Sequence, residues 1–159
     1  MRKKMSILLI CMVIIIMSKS CENPLTRFPV YIFNNSGLHL YHYLALGGEG
    51  GIMYPDTTLS FDRDVLMLKR IIEPGESYGD SFACEKGEEF SFLPRDTLSI
   101  YFFAKDTIDK YSWDDIKTKY KIVQRYDMSV DDFKQLHYRI SYPPTVAMKN
   151  IKMYPPYGR

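Results

Sequence analysis

The chain has 159 residues, 46% of them hydrophobic, with 21 Lys+Arg against 19 Asp+Glu and a formal net charge of +2. That length suits one domain with its own hydrophobic core. Four of the basic residues (Arg2, Lys3, Lys4, Lys19) lie in the first 20 positions, so the rest carries 17 Lys+Arg against 19 Asp+Glu, net −2. No basic stripe remains to hold a phosphate backbone, which excludes nucleic acid as a partner.

Arg2-Lys3-Lys4 opens the chain, Ser6 to Met17 is apolar apart from Ser6 itself, and Ser18-Lys19-Ser20 leads into Cys21. This is the layout of an export signal. An apolar run of about 12 residues falls short of the roughly 20 that a membrane-crossing helix needs. Residues 1–20 therefore read as a cleaved leader. Ser18-Lys19-Ser20-Cys21 resembles the lipobox of bacterial lipoproteins, in which the cysteine thiol is acylated and heads the mature chain; Ser18 stands where that motif has an apolar residue. Ordinary signal-peptidase cleavage after small residues is the alternative. Lipid attachment at Cys21 is the preferred reading, with an N-terminal lipid as the contact to the membrane. Cys11 leaves with the leader, so only Cys84 is left over, and neither an intrachain disulfide nor a cysteine zinc site is available. Stability has to come from packing, much of it by 13 Tyr and 9 Phe.

Residues 21–27 read as a tether and 28–159 as a single β-rich domain. Phe28–Phe33, β-branched and aromatic, and Leu38–Ala45 are apolar runs around Asn34-Asn35-Ser36-Gly37, a pattern that predicts a β-hairpin. Gly47–Gly51 predicts a flexible loop and Tyr54-Pro55-Asp56 a turn. Val65–Ile72 suits a strand or a short helix; its β-branched end and the Glu73-Pro74-Gly75 turn favour a strand. Phe90-Ser91-Phe92 predicts a further short strand. Leu98–Ala104 is apolar on both alternating faces, as a central strand covered on both sides requires.

The last third contains a weak repeat. Ser112-Trp-Asp-Asp-Ile-Lys117 parallels Ser129-Val-Asp-Asp-Phe-Lys134, and each leads to a strand-like segment, Tyr120–Val123 and Tyr138–Ser141. Serine at an N-cap, followed by aspartates in a first helical turn, predicts two short helices. Tyr142-Pro143-Pro144 and Tyr154-Pro155-Pro156 predict an extended, polyproline-like tail. Together these elements predict an α+β, mainly β domain: an antiparallel sandwich-like sheet fold with two short helices in its C-terminal third.

Gly75-Glu-Ser77-Tyr-Gly79 matches the G-x-S-x-G of serine hydrolases, and His137 follows it in the right chain order. That chemistry needs strand–turn–helix context, whereas a Pro-Gly turn running into an edge strand explains the residues more simply. His39 and His42 differ by three on a predicted strand, which points them to opposite faces and away from a shared metal; surface or half-buried positions are expected for them. Asp114, Asp115, Asp131 and Asp132 read as helix-terminal rather than catalytic carboxylates. The glycine loop lacks the Lys-Ser/Thr of a phosphate cradle. Trp113 and the tyrosines could stack on sugars, but aromatics at strand spacing are expected in the core. No catalytic residue, metal site or cofactor is expected.

The Cys21 junction, Asn34-Asn35-Ser36, Tyr54–Leu59, Trp113–Ile116, Gln124–Asp127 and Ile140–Pro144 together resemble small envelope lipoproteins of the Bacteroides type. The resemblance implies an address, the outer membrane on its periplasmic or surface face, and no activity. The expectation is a non-enzymatic cell-envelope lipoprotein with a binding or structural role, meeting an envelope protein or a glycan. Its alternatives are a serine hydrolase using Ser77 and His137, and an envelope immunity or inhibitor protein.

Overall fold

The computed structural model describes residues 25–47, 51–67, 69–85 and 93–158. The leader, Cys21 and the strand expected at Phe90–Phe92 lie outside the described residues. The fold is α+β and mainly β. Among the described residues, seven strands form two sheets: β1 (Leu25–Asn34), β2 (Leu40–Ala45), β3 (Ser77–Glu85), β4 (Thr97–Ala104), β5 (Gln124–Ser129), β6 (Arg139–Tyr142) and β7 (Lys152–Tyr154). The described residues also form four short α-helices: α1 (Arg63–Met67), α2 (Lys105–Lys110), α3 (Trp113–Lys119) and α4 (Val130–Gln135). Among the described residues, no helix is long and apolar enough to cross a membrane.

One sheet has the order β3-β1-β6 and the other β2-β4-β5-β7. All pairings are antiparallel except β1 with β6, which run parallel from Tyr31↔Arg139 to Asn34↔Tyr142. Period-2 alternation sorts the side chains of the four-stranded sheet. Leu40 and Leu44 of β2, Leu98, Ile100 and Phe102 of β4, and Tyr126 and Met128 of β5 meet Val30, Ile32 and Ile140 of the other sheet in one core. Tyr41, Tyr43, Tyr101 and Phe103 point the other way, into a second core with Phe61, Leu66 of α1, Ile108 of α2 and Ile116 of α3. The molecule is thus a sandwich with a helical outer layer, and β4 is buried on both faces from Leu98 to Phe103, as its sequence predicts.

The expected hairpin of β1 and β2 does not form. β1 pairs with β3 and β6, β2 pairs with β4, and the turn between them carries the chain from one sheet to the other. The reason is Asn34, which is fully buried. Its Nδ2 donates to the carbonyls of Leu38 (2.6 Å) and Ile72 (2.8 Å). Its Oδ1 accepts from the backbone N–H (3.1 Å) and hydroxyl (2.6 Å) of Ser36. A side chain saturated in this way fixes a crossover rather than a two-residue turn.

Four further expectations change. β1 starts at Leu25, inside the segment read as tether. Among the described residues, Val65–Ile72 does not form a strand: Arg63–Met67 is helical with Leu66 buried, and Ile72 pairs in an isolated bridge with Leu40. Tyr120–Val123 precedes β5 rather than forming a strand, since Tyr120 takes the left-handed conformation that ends α3 (φ 48°). The tail is more than a strap. Lys152–Tyr154 adds β7 to the four-stranded sheet, and each Tyr-Pro bond at 54, 142 and 154 is cis.

Both predicted helix caps are present. Ser112 Oγ accepts from the Asp115 N–H at 3.1 Å, and Ser129 Oγ from the Asp132 N–H at 3.2 Å. At Ser129 the box is reciprocal, because Asp132 Oδ2 accepts the Ser129 N–H at 2.8 Å.

Candidate functional site

The G-x-S-x-G segment owes its glycines to the fold. Gly75 adopts φ +81° in the turn before β3, a region that costs other residues energy. Gly79 lies opposite Tyr31 of β1, whose ring would stand 3.2 Å from any added Cβ. Ser77 begins an edge strand rather than a strand–turn–helix elbow. His137 follows α4 in a left-handed turn just before β6 (φ 51°). β1 stands between the two elements, so their backbones are about 10 Å apart at two strand spacings. The structure does not bring Ser77 and His137 together.

The aspartate pairs fall in the first turns of α3 and α4. Asp115 and Asp132 serve the serine caps, and Asp114 and Asp115 pair with Lys117 (3.1 Å) and Lys119 (2.7 Å). Trp113 packs on Phe61 and Phe103, and its indole N–H donates to the Phe61 carbonyl at 2.9 Å. Among the described residues, no three His, Cys, Asp or Glu side chains cluster in a way that could hold a metal.

The two histidines diverge as alternation predicts. His39 is exposed and paired with Glu73. His42, in contrast to the half-buried position expected, is fully buried on the inner face of β2. Its ring centroid stands 4.3 Å from that of Tyr78 on β3, and among the described residues neither ring nitrogen has a hydrogen-bond partner. Burial holds its pKa down to about 4, Lys69 lowers it further and Asp80 opposes the shift. The imidazole is therefore neutral at pH 7.

Beside this residue, where the edge strands β2 and β3 of the two sheets face each other, a cleft of about 330 Å³ opens. Its apolar wall is Leu44, Leu46 and Val65, over a floor of Tyr43 stacked on Phe61 (3.9 Å between centroids, 9° between planes). Burial pushes the Tyr43 phenol above its usual pKa. Asp62, Lys69 and Asp80 bring charges of both signs to the same space. Among the described residues no ion pair engages any of these three. The sequence shows each charge but not their convergence, which depends on two sheets meeting at their edges.

A second polar group lies on the outer face of the four-stranded sheet. Asp127, with its side chain fully buried, accepts from Ser99 Oγ at 2.7 Å and from Arg125 Nη2 at 3.1 Å, with Arg125 Nε 3.0 Å away. Arg125 Nη1 also donates to the Tyr120 hydroxyl. All members of this group are engaged with one another, so it braces β4, β5 and the end of α3.

Between Tyr142-Pro143-Pro144 and Pro155-Pro156-Tyr157 runs a cleft of about 400 Å³, where Gln124 Nε2 donates to the Pro155 carbonyl at 2.9 Å. No protein-family model, curated protein or solved structure matches the chain.

Proposed function

We propose that the protein is an exported cell-envelope lipoprotein, acylated at Cys21, whose domain has a binding or structural role rather than a catalytic one. The observation that carries this reading is the N-terminal layout: a basic start, an apolar run too short to span a bilayer as a helix, and a small-residue junction ending in cysteine. β1 begins four positions after that cysteine. An extended chain covers at most about 3.6 Å per residue, so the anchored domain would stand close to the membrane surface.

The test is labelling of growing cells with radioactive palmitate, in the wild type and in Cys21→Ser, followed by protease treatment of intact cells. Label in the wild type and none in the variant is the expected result. A wild type without label would remove the anchor and leave ordinary secretion. Degradation by external protease would assign the domain to the cell surface; protection would assign it to the periplasmic face.

A further inference from the structure

The cleft between β2 and β3 combines three features. It encloses about 330 Å³, near the lower limit of small-molecule sites. One wall is apolar, formed by Leu44, Leu46 and Val65. Lys69, Asp62 and Asp80 line the same space, and among the described residues none of the three is neutralised by an ion pair. Lys69 and Asp80 are both partly shielded from solvent, while Asp62 is exposed. Charges in such a setting are screened less than on an open surface and gain more from a counter-charge.

These charges restrict the ligand. A simple anion would meet two carboxylates as well as Lys69. Among the described residues, a metal cation would meet the lysine and two carboxylates, fewer than the three groups a metal site calls for. A molecule bearing one charge of each sign close together satisfies both, and the apolar wall asks for a hydrocarbon group beside them. His42, which does not line the cleft, is neutral at pH 7 and leaves this balance unchanged.

We propose that this cleft binds a small zwitterion of the α-amino-acid class, with Lys69 on the carboxylate, Asp80 on the ammonium group and Leu44, Leu46 and Val65 around an apolar side chain. The assignment rests on the binding role proposed above and is independent of the anchor at Cys21. Asp62, at the rim, adds negative potential on the ammonium side.

The test uses the full chain purified in detergent, titrated with L-leucine and L-phenylalanine by calorimetry and by the NMR shifts of the His42 ring. Two analogues keep the leucine side chain but one charge each: 4-methylpentanoate and 3-methylbutylamine. Leucine is expected to bind about tenfold or more tightly than either analogue, the difference that one charge-assisted contact of about 1.4 kcal/mol supplies. Lys69→Met should remove the advantage of leucine over the amine, and Asp80→Asn its advantage over the carboxylate. Absence of binding by both amino acids up to about 10 mM, a ceiling looser than the weakest specific affinities, overturns the proposal. So does equal binding of leucine and its analogues to the wild type, a comparison that needs no variant to fold. Either negative leaves the palmitate result untouched, so failure of the ligand and failure of the anchor are told apart.

Discussion

Asn34 Nδ2 donates to the carbonyl of Ile72 across 38 positions of sequence, at 2.8 Å and out of reach of solvent. The bond ties the crossover between the sheets to the bridge that Ile72 makes with Leu40, whose backbones exchange hydrogen bonds of 2.8 and 3.1 Å. Asn34→Ala should therefore destabilise the domain by about 2 kcal/mol, the cost of leaving buried polar groups without a partner. Urea unfolding of the two proteins checks this. A change within 0.5 kcal/mol, typical of a surface substitution, would show that the crossover does not depend on the side chain.

His42 gives the fold a pH dependence with a definite sign. Its folded pKa of about 4 lies below the ordinary 6.5, through burial first and then Lys69, with Asp80 opposing. Tyr78 is the ring that faces it. The unfolded chain therefore binds the extra proton between these values, and stability rises with pH through that window. The contribution is complete above about pH 6.5 and lost as the pH falls through about 4; its full size is about 3 kcal/mol. His42→Phe should flatten that part of the stability profile relative to the wild type. Parallel profiles for the two proteins would assign the acid sensitivity to other groups.

Breaking the Arg125–Asp127 pair should cost more than removing it. The Asp127 side chain is fully buried and that of Arg125 only 11% exposed, so Asp127→Ala strands a cation and should lose about 3 kcal/mol or more. The double variant Arg125→Met/Asp127→Leu should recover part of that loss in thermal unfolding. Equal destabilisation of single and double variants would count against a desolvated pair.

The two serine caps differ in a measurable way. Ser129→Ala removes a reciprocal box beside the core residue Phe133 and should cost about 1 kcal/mol. Ser112→Ala removes an exposed cap bond and a long hydroxyl contact to the Asp115 carboxylate (3.4 Å), with no reciprocal box, and should cost less. Denaturant midpoints rank the two, and the reverse order would make the box ornamental.

Much of this fold is legible in the sequence where the signal is local. The buried run of β4 and the Ser-x-Asp-Asp caps are patterns of neighbouring residues, and both are present as predicted. The β1–β2 hairpin fails because Asn34 looks like a turn residue locally while its partners include a residue 38 positions away. α2 escapes notice, and α1 is passed over in favour of a strand, because each is a short helix burying a single residue, Ile108 or Leu66, too little for a periodic signal. The cleft is the least legible part, since Leu44, Lys69 and Asp80 come together only through the meeting of β2 and β3. The glycines of G-x-S-x-G are visible but misleading, because one serves a turn and the other makes room for Tyr31.

The parallel pairing of β1 with β6 has a consequence in time as well as in space. Each sheet receives an edge strand from the end of the chain, β6 in one and β7 in the other. A nascent chain that has not yet reached Arg139 lacks an edge in both layers and leaves Ile32 without its partner Ile140. Contacts of such sequence separation form late, because long loops must close first. The polypeptide would thus complete its two sheets only once nearly all of it has been synthesised.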